Sequence, residues 1–232
     1  MNPKSYDSQH IRIVASFSEL VDKDFEAKIN ACCWYRNLEG DFKELVNKLQ
    51  LKQNITQVTP QQLEALQLSE QGAIAREIIL KDIQLLTDFG AAPTLNLLKC
   101  YERDDAFTFI ATDVYSFHVD RSPIATDTFL CTYHGAPSDI IANEHAVQKV
   151  LIPEIRTQLK KLHNGPVDEF DTFLQEHYFD LHYQPLPHAT ATSLGIGHLW
   201  RLAVEHPTQH VPPCIHRAPI ENDGEYRLLL IC

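Results

Sequence analysis

His118 and Asp120 stand two residues apart in Phe117-His118-Val119-Asp120, within a stretch rich in aromatic and β-branched residues. Side chains at i and i+2 of a strand point to the same face, so this imidazole and carboxylate could grip one ion. A second imidazole, His216, follows in Cys214-Ile215-His216-Arg217-Ala218-Pro219. Arg227 stands eleven residues beyond it (227 − 216), in the apolar run 226–232. Two His and one carboxylate on one side of a metal leave positions open for substrate, cosubstrate and oxygen. An Arg on the last strand can then hold a carboxylate through a bidentate hydrogen-bonded pair. In this order and spacing the residues argue for metal-dependent oxygen chemistry.

If 114–120 is a strand, Ser116, His118 and Asp120 share one face, while Tyr115, Phe117 and Val119 share the other and suit packing against N-terminal helices. Arg227 alternates with Tyr226 and Leu228, so it shares a face with Leu229 and Ile231. A guanidinium on an apolar strand face requires an anion. That anion is either a protein carboxylate, for which Asp113, Asp127 and Glu205 are candidates, or a bound ligand. His216 sits between Pro212-Pro213 and Pro219, in a segment whose prolines restrict the backbone.

A His-x-Asp pair, a distant His and a basic residue about ten positions later resemble the signature of the iron(II)/2-oxoglutarate-dependent dioxygenases. The resemblance covers about 106–232. It implies a double-stranded β-helix (a jelly-roll, cupin-like barrel) with supporting helices on its N-terminal side. It further implies His118, Asp120 and His216 as ligands of Fe(II), and Arg227 as the residue that binds the distal carboxylate of 2-oxoglutarate. Tyr133, on the strand after the His-x-Asp pair, falls where that family often places a cosubstrate-binding hydroxyl. The 96 residues between Asp120 and His216 (216 − 120) then hold an insertion. The C-terminal half is also similar to a bacterial family of uncharacterised domains. That family carries F-H-x-D, C-T-Y-x-G, a late H-R-x-P and a terminal R-L-L-L; here these are 117–120, 131–135, 216–219 and 227–230. Where many of its members continue with G-T-E-W, this chain has Ala136-Pro137-Ser138-Asp139.

A rival constellation, His206, His210, Cys214 and His216, is dense enough in nitrogen and sulfur to bind zinc, although its spacing fits no standard finger. It supports the alternative of a non-catalytic metal-binding protein in zinc handling. His198 alternates with Ile196 and Trp200 and reads as a core histidine. His134, His145, His163, His177, His182 and His188 show no partner by spacing. Eleven of the twelve histidines lie from His118 onward, which is where chemistry is expected. Phosphate-binding glycine loops, the G-x-S-x-G elbow and H-E-x-x-H do not occur in the sequence.

The elements that must position these groups are legible as an α+β layout. The 1–90 portion reads mainly helical. Phe42, Leu45, Val46 and Leu49 follow helical spacing. Thr59-Pro60-Gln61-Gln62 has an N-cap, a first-turn Pro and a capping-box Gln. A further pattern through Ile79, Ile83 and Leu86 stops near Gly90. Strand character is expected at 107–111, 114–120, 126–133, 195–204 and 226–232. The barrel core is thus placed at 106–139 and 195–232, with a helical insertion over 143–180. No repeat or linker divides the chain, so 1–232 is read as one domain.

The chain has 44% hydrophobic and 22% charged residues and a net charge of −11. That balance disfavours nucleic acid as a partner. No apolar run approaches the roughly 20 residues needed to span a bilayer, and 1–19 lacks a secretory hydrophobic segment. The expectation is a cytoplasmic protein without a membrane partner, acting on a small-molecule or protein substrate that the sequence does not name. Six cysteines without C-x-x-C spacing, Cys32-Cys33 among them, are read as free thiols that pack.

Overall fold

The computed structural model describes residues 9–232 and shows an α+β fold built on a seven-stranded mixed sheet. The first part of the chain alternates strand and helix: β1 (Ile11–Val14), α1 (Phe17–Asp22), β2 (Ala31–Trp34), α2 (Phe42–Lys48), β3 (Ile55–Val58), α3 (Pro60–Glu64), α4 (Glu70–Asp88) and β4 (Thr94–Leu98). After an irregular stretch come β5 (Asp127–His134), β6 (Asp139–Ile141) and β7 (Ala146–Gln148). Helices α5 (Pro153–Leu162) and α6 (Phe170–Glu176) follow, then β8 (Tyr183–Pro185), β9 (Thr192–Ser193), β10 (Leu199–Ala203), β11 (Ile215–Arg217) and β12 (Arg227–Ile231).

Local sequence explains the helices. The α2 pattern buries Leu45 and Val46, and the Asp41 side chain caps its start. At α3, Thr59 and Gln62 form the reciprocal capping box with Pro60 in the first turn. Helix α4 buries Ala75, Ile79 and Leu86. Gly90, two residues past its end, takes the left-handed conformation at φ 97°. Pro153 starts α5, in the first turn, where the N–H that proline lacks has no intrahelical partner to lose.

The large sheet runs β1-β2-β10-β5-β12-β4-β3. Only β1 and β2 pair in parallel; the other pairs are antiparallel. Side-chain alternation divides its two faces. Cys32, Leu95, Leu97, Phe129, Cys131, Tyr133, Leu199, Leu228 and Leu230 face the helices and form one core with Leu45, Leu63, Ile79 and Leu86. Cys33, Leu98, Leu130, Trp200, Leu202 and Leu229 face the other way, against Ile140, Leu194 and Cys214 of the second layer. That layer is the three-stranded sheet β11-β6-β9.

Two expectations are corrected. The 1–90 portion is not mainly helical: β1 to β3 lie in it and extend both ends of the large sheet, while residues 1–8 lie outside the described residues. Each of these strands is four residues long, too short for a distinct period to show beside the helices. The stretch 107–120 is not a pair of regular strands, and its backbone pairs only through isolated bridges. Phe107 and Phe109 instead pack with Phe170, Phe173 and Phe179 of the helical insertion, a separate apolar cluster. Phe117 and Val119 pack on Ile141 and Ile215 of the second sheet rather than on the N-terminal helices.

Candidate metal centre

His118 and His216 meet as an antiparallel pair: each backbone N–H donates to the other's carbonyl at 2.9 Å. Their rings stand 4.5 Å apart, centroid to centroid. The residues beside them interlock as well. The Arg217 guanidinium lies over the Phe117 ring at 4.5 Å and donates twice to Asp139 Oδ2, at 2.9 and 3.1 Å. Asp120 reaches the same point, with Oδ2 3.6 Å from His216 Nε2. Ligand atoms from His118, Asp120 and His216 all lie within 4.8 Å of one another, and no other such group of three occurs among the described residues.

The donor set suits a divalent metal. His118 Nδ1 lies 2.8 Å from the Ser116 carbonyl, and His216 Nδ1 lies 3.1 Å from the Cys214 carbonyl. A carbonyl can only accept, so both Nδ1 atoms carry the proton and both Nε2 atoms keep a lone pair for a metal. Burial, reinforced by His216, depresses His118 to about 4, which keeps it neutral. For Asp120, burial works against the charge. His216, the Thr128 hydroxyl at 2.5 Å and His118 outweigh it and hold the carboxyl below its ordinary range.

Arg227 lies in the same cavity, a space of about 180 Å³ lined by Tyr101, Ser138 and Leu229 as well as the triad. Only 4% of the residue is exposed. Its Nη2 donates to Thr132 Oγ1 at 2.9 Å and Ser138 Oγ at 2.8 Å, while its Nε has no hydrogen-bond partner. Among the described residues no carboxylate ion-pairs with it; Asp113 is within 3.7 Å of Arg103, Asp127 pairs with Arg201, and Glu205 pairs with Arg121. Burial lowers the Arg227 pKa, partly offset by Tyr101 and Glu221. Gly135 lets the chain pass behind it: at φ 84°, an added Cβ would sit 2.8 Å from Arg227 Cα. The Cys131–Gly135 motif and the following Ser138 therefore form the cradle of Arg227.

Tyr133 does not belong to this cavity. Strand alternation puts Thr132 on the cavity side and Tyr133 on the helix side, where it stacks on Phe42 and donates to Asp82 Oδ2 at 2.6 Å. Asp82 is also gripped by both terminal nitrogens of Arg36, at 2.7 and 2.8 Å. The cavity tyrosine is Tyr101, which the sequence reading passed over; its hydroxyl pKa is raised by burial against the opposing pull of Arg227.

The rival zinc constellation is not assembled. His206 and His210 line a separate groove of about 950 Å³, whereas Cys214 is buried in the core between the two sheets. In that groove Arg201 is matched by Asp127 and by the Leu20, Val21 and Lys23 carbonyls, so this guanidinium, unlike that of Arg227, is not left without an anion. His198 is a core histidine whose Nδ1 accepts from the Arg36 backbone N–H at 3.2 Å. Cys32 and Cys33 are buried free thiols with pKa values raised by burial.

His182 is the histidine near the centre that spacing did not reveal. It forms a bridge with His118, with ring centroids 5.8 Å apart. Burial first, then the neighbouring His118 and Lys149, push it down to about 3. Among the described residues no helix is long and apolar enough to cross a membrane. Comparison with known proteins finds no family model, curated protein or solved structure that matches this chain.

Proposed function

We propose that the protein is a non-haem iron(II)/2-oxoglutarate-dependent dioxygenase of the hydroxylating type. The carrying observation is Arg227: a buried guanidinium without a carboxylate partner, in one small cavity with a 2-His-1-carboxylate triad. Leaving a charge unpaired in the interior costs several kcal/mol, so such an arrangement favours an anionic ligand. A metal-only site has no use for that cation, whereas a dicarboxylate that also reaches the metal does. The reading also takes the two facing sheets, with the site between them, as the halves of a double-stranded β-helix.

In this reading His118 Nε2, Asp120 and His216 Nε2 hold Fe(II), and open positions suit oxygen chemistry. With its cosubstrate bound, the metal supplies the coupled reaction of 2-oxoglutarate, O2 and R–H to succinate, CO2 and R–OH. Arg227 orients the far carboxylate of 2-oxoglutarate, with Thr132 and Ser138 fixing the guanidinium and Tyr101 contributing a hydroxyl at the cavity wall. The Ser116 and Cys214 carbonyls hold the imidazole tautomers, and Thr128 holds the Asp120 carboxylate. Leu130, Leu229 and Ile231 limit the water around these groups.

Succinate release from 2-oxoglutarate with Fe(II), ascorbate and air tests the proposal, because uncoupled turnover needs no substrate. Release that requires both His216 and Arg227 supports it. Absence of release together with tight zinc binding favours the non-catalytic metal-binding alternative.

A further inference from the structure

The triad has a second open side. A cavity of about 260 Å³ shares Val114, His118 and Asp120 with the Arg227 cavity and extends to Thr112, Arg121 and His182. Leu181 and His182, just after the helical insertion, supply its far wall. Backbone bonds fix that wall against the ligand segment: Tyr183 N–H donates to the Phe117 carbonyl at 2.7 Å and Val119 N–H to the Leu181 carbonyl at 3.0 Å. His182 is thereby held beside His118.

The two cavities differ in charge balance. The first contains an unmatched cation. In the second, Arg121 is bound by Asp180 and Glu205. Asp113 lies 3.7 Å from Arg103 and accepts the Tyr115 and Ser116 backbone N–H groups. The group left over is His182, 6% exposed, whose Nδ1 has no hydrogen-bond partner.

We propose that this second cavity receives the molecule that the metal centre modifies, that the portion entering it is small and uncharged, and that His182 selects it by hydrogen bonding. An imidazole offers one donor and one acceptor, which an amide or hydroxyl group can match. Away from the metal, an ionised group would require a counter-charge from the protein, and the charged side chains lining the cavity other than Asp120, which are Asp113 and Arg121, are already engaged. That the bound molecule is then hydroxylated rests on the oxygenase reading; that it binds does not.

The test uses the full chain loaded with zinc, labelled with ¹⁵N at histidine, and three probes of similar size: acetamide, acetate and methylammonium. The expected result is a saturable shift of the His182 ring nitrogens by acetamide and by neither ion. Thr112→Trp, at a residue that lines this cavity and not the Arg227 cavity, should weaken acetamide binding about tenfold or more. Unchanged His198 signals would show that this variant is folded. Absence of a saturable acetamide shift, an equal response to either ion, or undiminished binding in Thr112→Trp overturns the proposal. The same sample reports on 2-oxoglutarate. If 2-oxoglutarate fails to bind while acetamide still shifts His182, the oxygenase reading falls and the cavity assignment stands. If 2-oxoglutarate binds and acetamide does not, the cavity assignment falls alone.

Discussion

His118 and His216, 98 residues apart in the chain (216 − 118), exchange both of their backbone hydrogen bonds at 2.9 Å. Two candidate metal ligands are thus fixed as direct cross-strand neighbours by the backbone. Pre-assembly of this kind means that loss of one ring should empty the site without unravelling it. His118→Ala and His216→Ala should each abolish stoichiometric binding of a divalent metal, measured on anaerobically prepared protein, and leave the circular dichroism spectrum unchanged. Unaltered metal content in both would remove the assignment.

Thr128 would act on a metal held by the triad through Asp120, to which its hydroxyl donates at 2.5 Å. Thr128→Val keeps the shape and removes the hydrogen bond. Metal affinity should fall by about 10–100-fold, the usual effect of losing a group that orients a ligand. Equal affinity in the two proteins would mean that Asp120 is positioned by other contacts.

Gly135→Ala puts a methyl group 2.8 Å from Arg227 Cα at a positive φ. The variant should lose about 1–3 kcal/mol in chemical denaturation, from the left-handed backbone and the displaced strand end. Because the displaced residue is Arg227, 2-oxoglutarate affinity should fall with it. Full stability would show that the turn relaxes freely.

Tyr133→Phe separates the two faces of β5. Its hydroxyl donates to the Asp82 carboxylate in the helix-side core. Hydrogen bonds to charged groups are worth about 1.5–3 kcal/mol, so denaturation should register a loss of that order. Metal and 2-oxoglutarate binding should be unchanged. The opposite pattern, intact stability with weakened cosubstrate binding, would return Tyr133 to the site.

Burial, with Arg36 adding to it, depresses His198 to about 4. The unfolded chain binds this proton near pH 6.5 and the folded chain does not until near pH 4. Folding therefore loses stability as pH falls through that window, with a slope approaching about 1.4 kcal/mol per pH unit for one proton. Denaturation of wild type and His198→Gln between pH 7 and pH 4 should show the steeper acid loss in wild type. Parallel curves would mean that His198 titrates normally.

Much of the centre was legible because a strand-like i, i+2 alternation survives even where regular pairing does not. His118 and Asp120 share a face, opposite Phe117 and Val119, although the segment pairs only at isolated bridges. Arg227 shares the cavity side with Leu229 and Ile231, as its alternation implied. Tyr133, expected at the site only from the family resemblance, lies on the opposite face: it directly follows Thr132, and a step of one residue changes the face. His182 and Tyr101 were invisible because nothing in their spacing records the bridge to His118 or the return of the chain past Arg227. The strands β1 to β3 were lost beside the helices because each is only four residues long; β2 (Ala31–Trp34) is buried on both sides and shows no alternation, and in β3 the exposed/buried alternation spans too few residues to stand out.

The central claim is that Arg227 awaits an anion at the metal, and calorimetric titration of 2-oxoglutarate into metal-loaded protein tests it most directly. The account predicts binding that requires the metal. Arg227→Ala should retain the metal and weaken 2-oxoglutarate by about 2–5 kcal/mol, with only partial recovery in Arg227→Lys. Arg227→Met should leave the unliganded fold as stable as wild type or more so, since an unmatched buried charge has been removed. Equal 2-oxoglutarate affinity in wild type and Arg227→Ala, or collapse of the unliganded Arg227→Met fold, would contradict it.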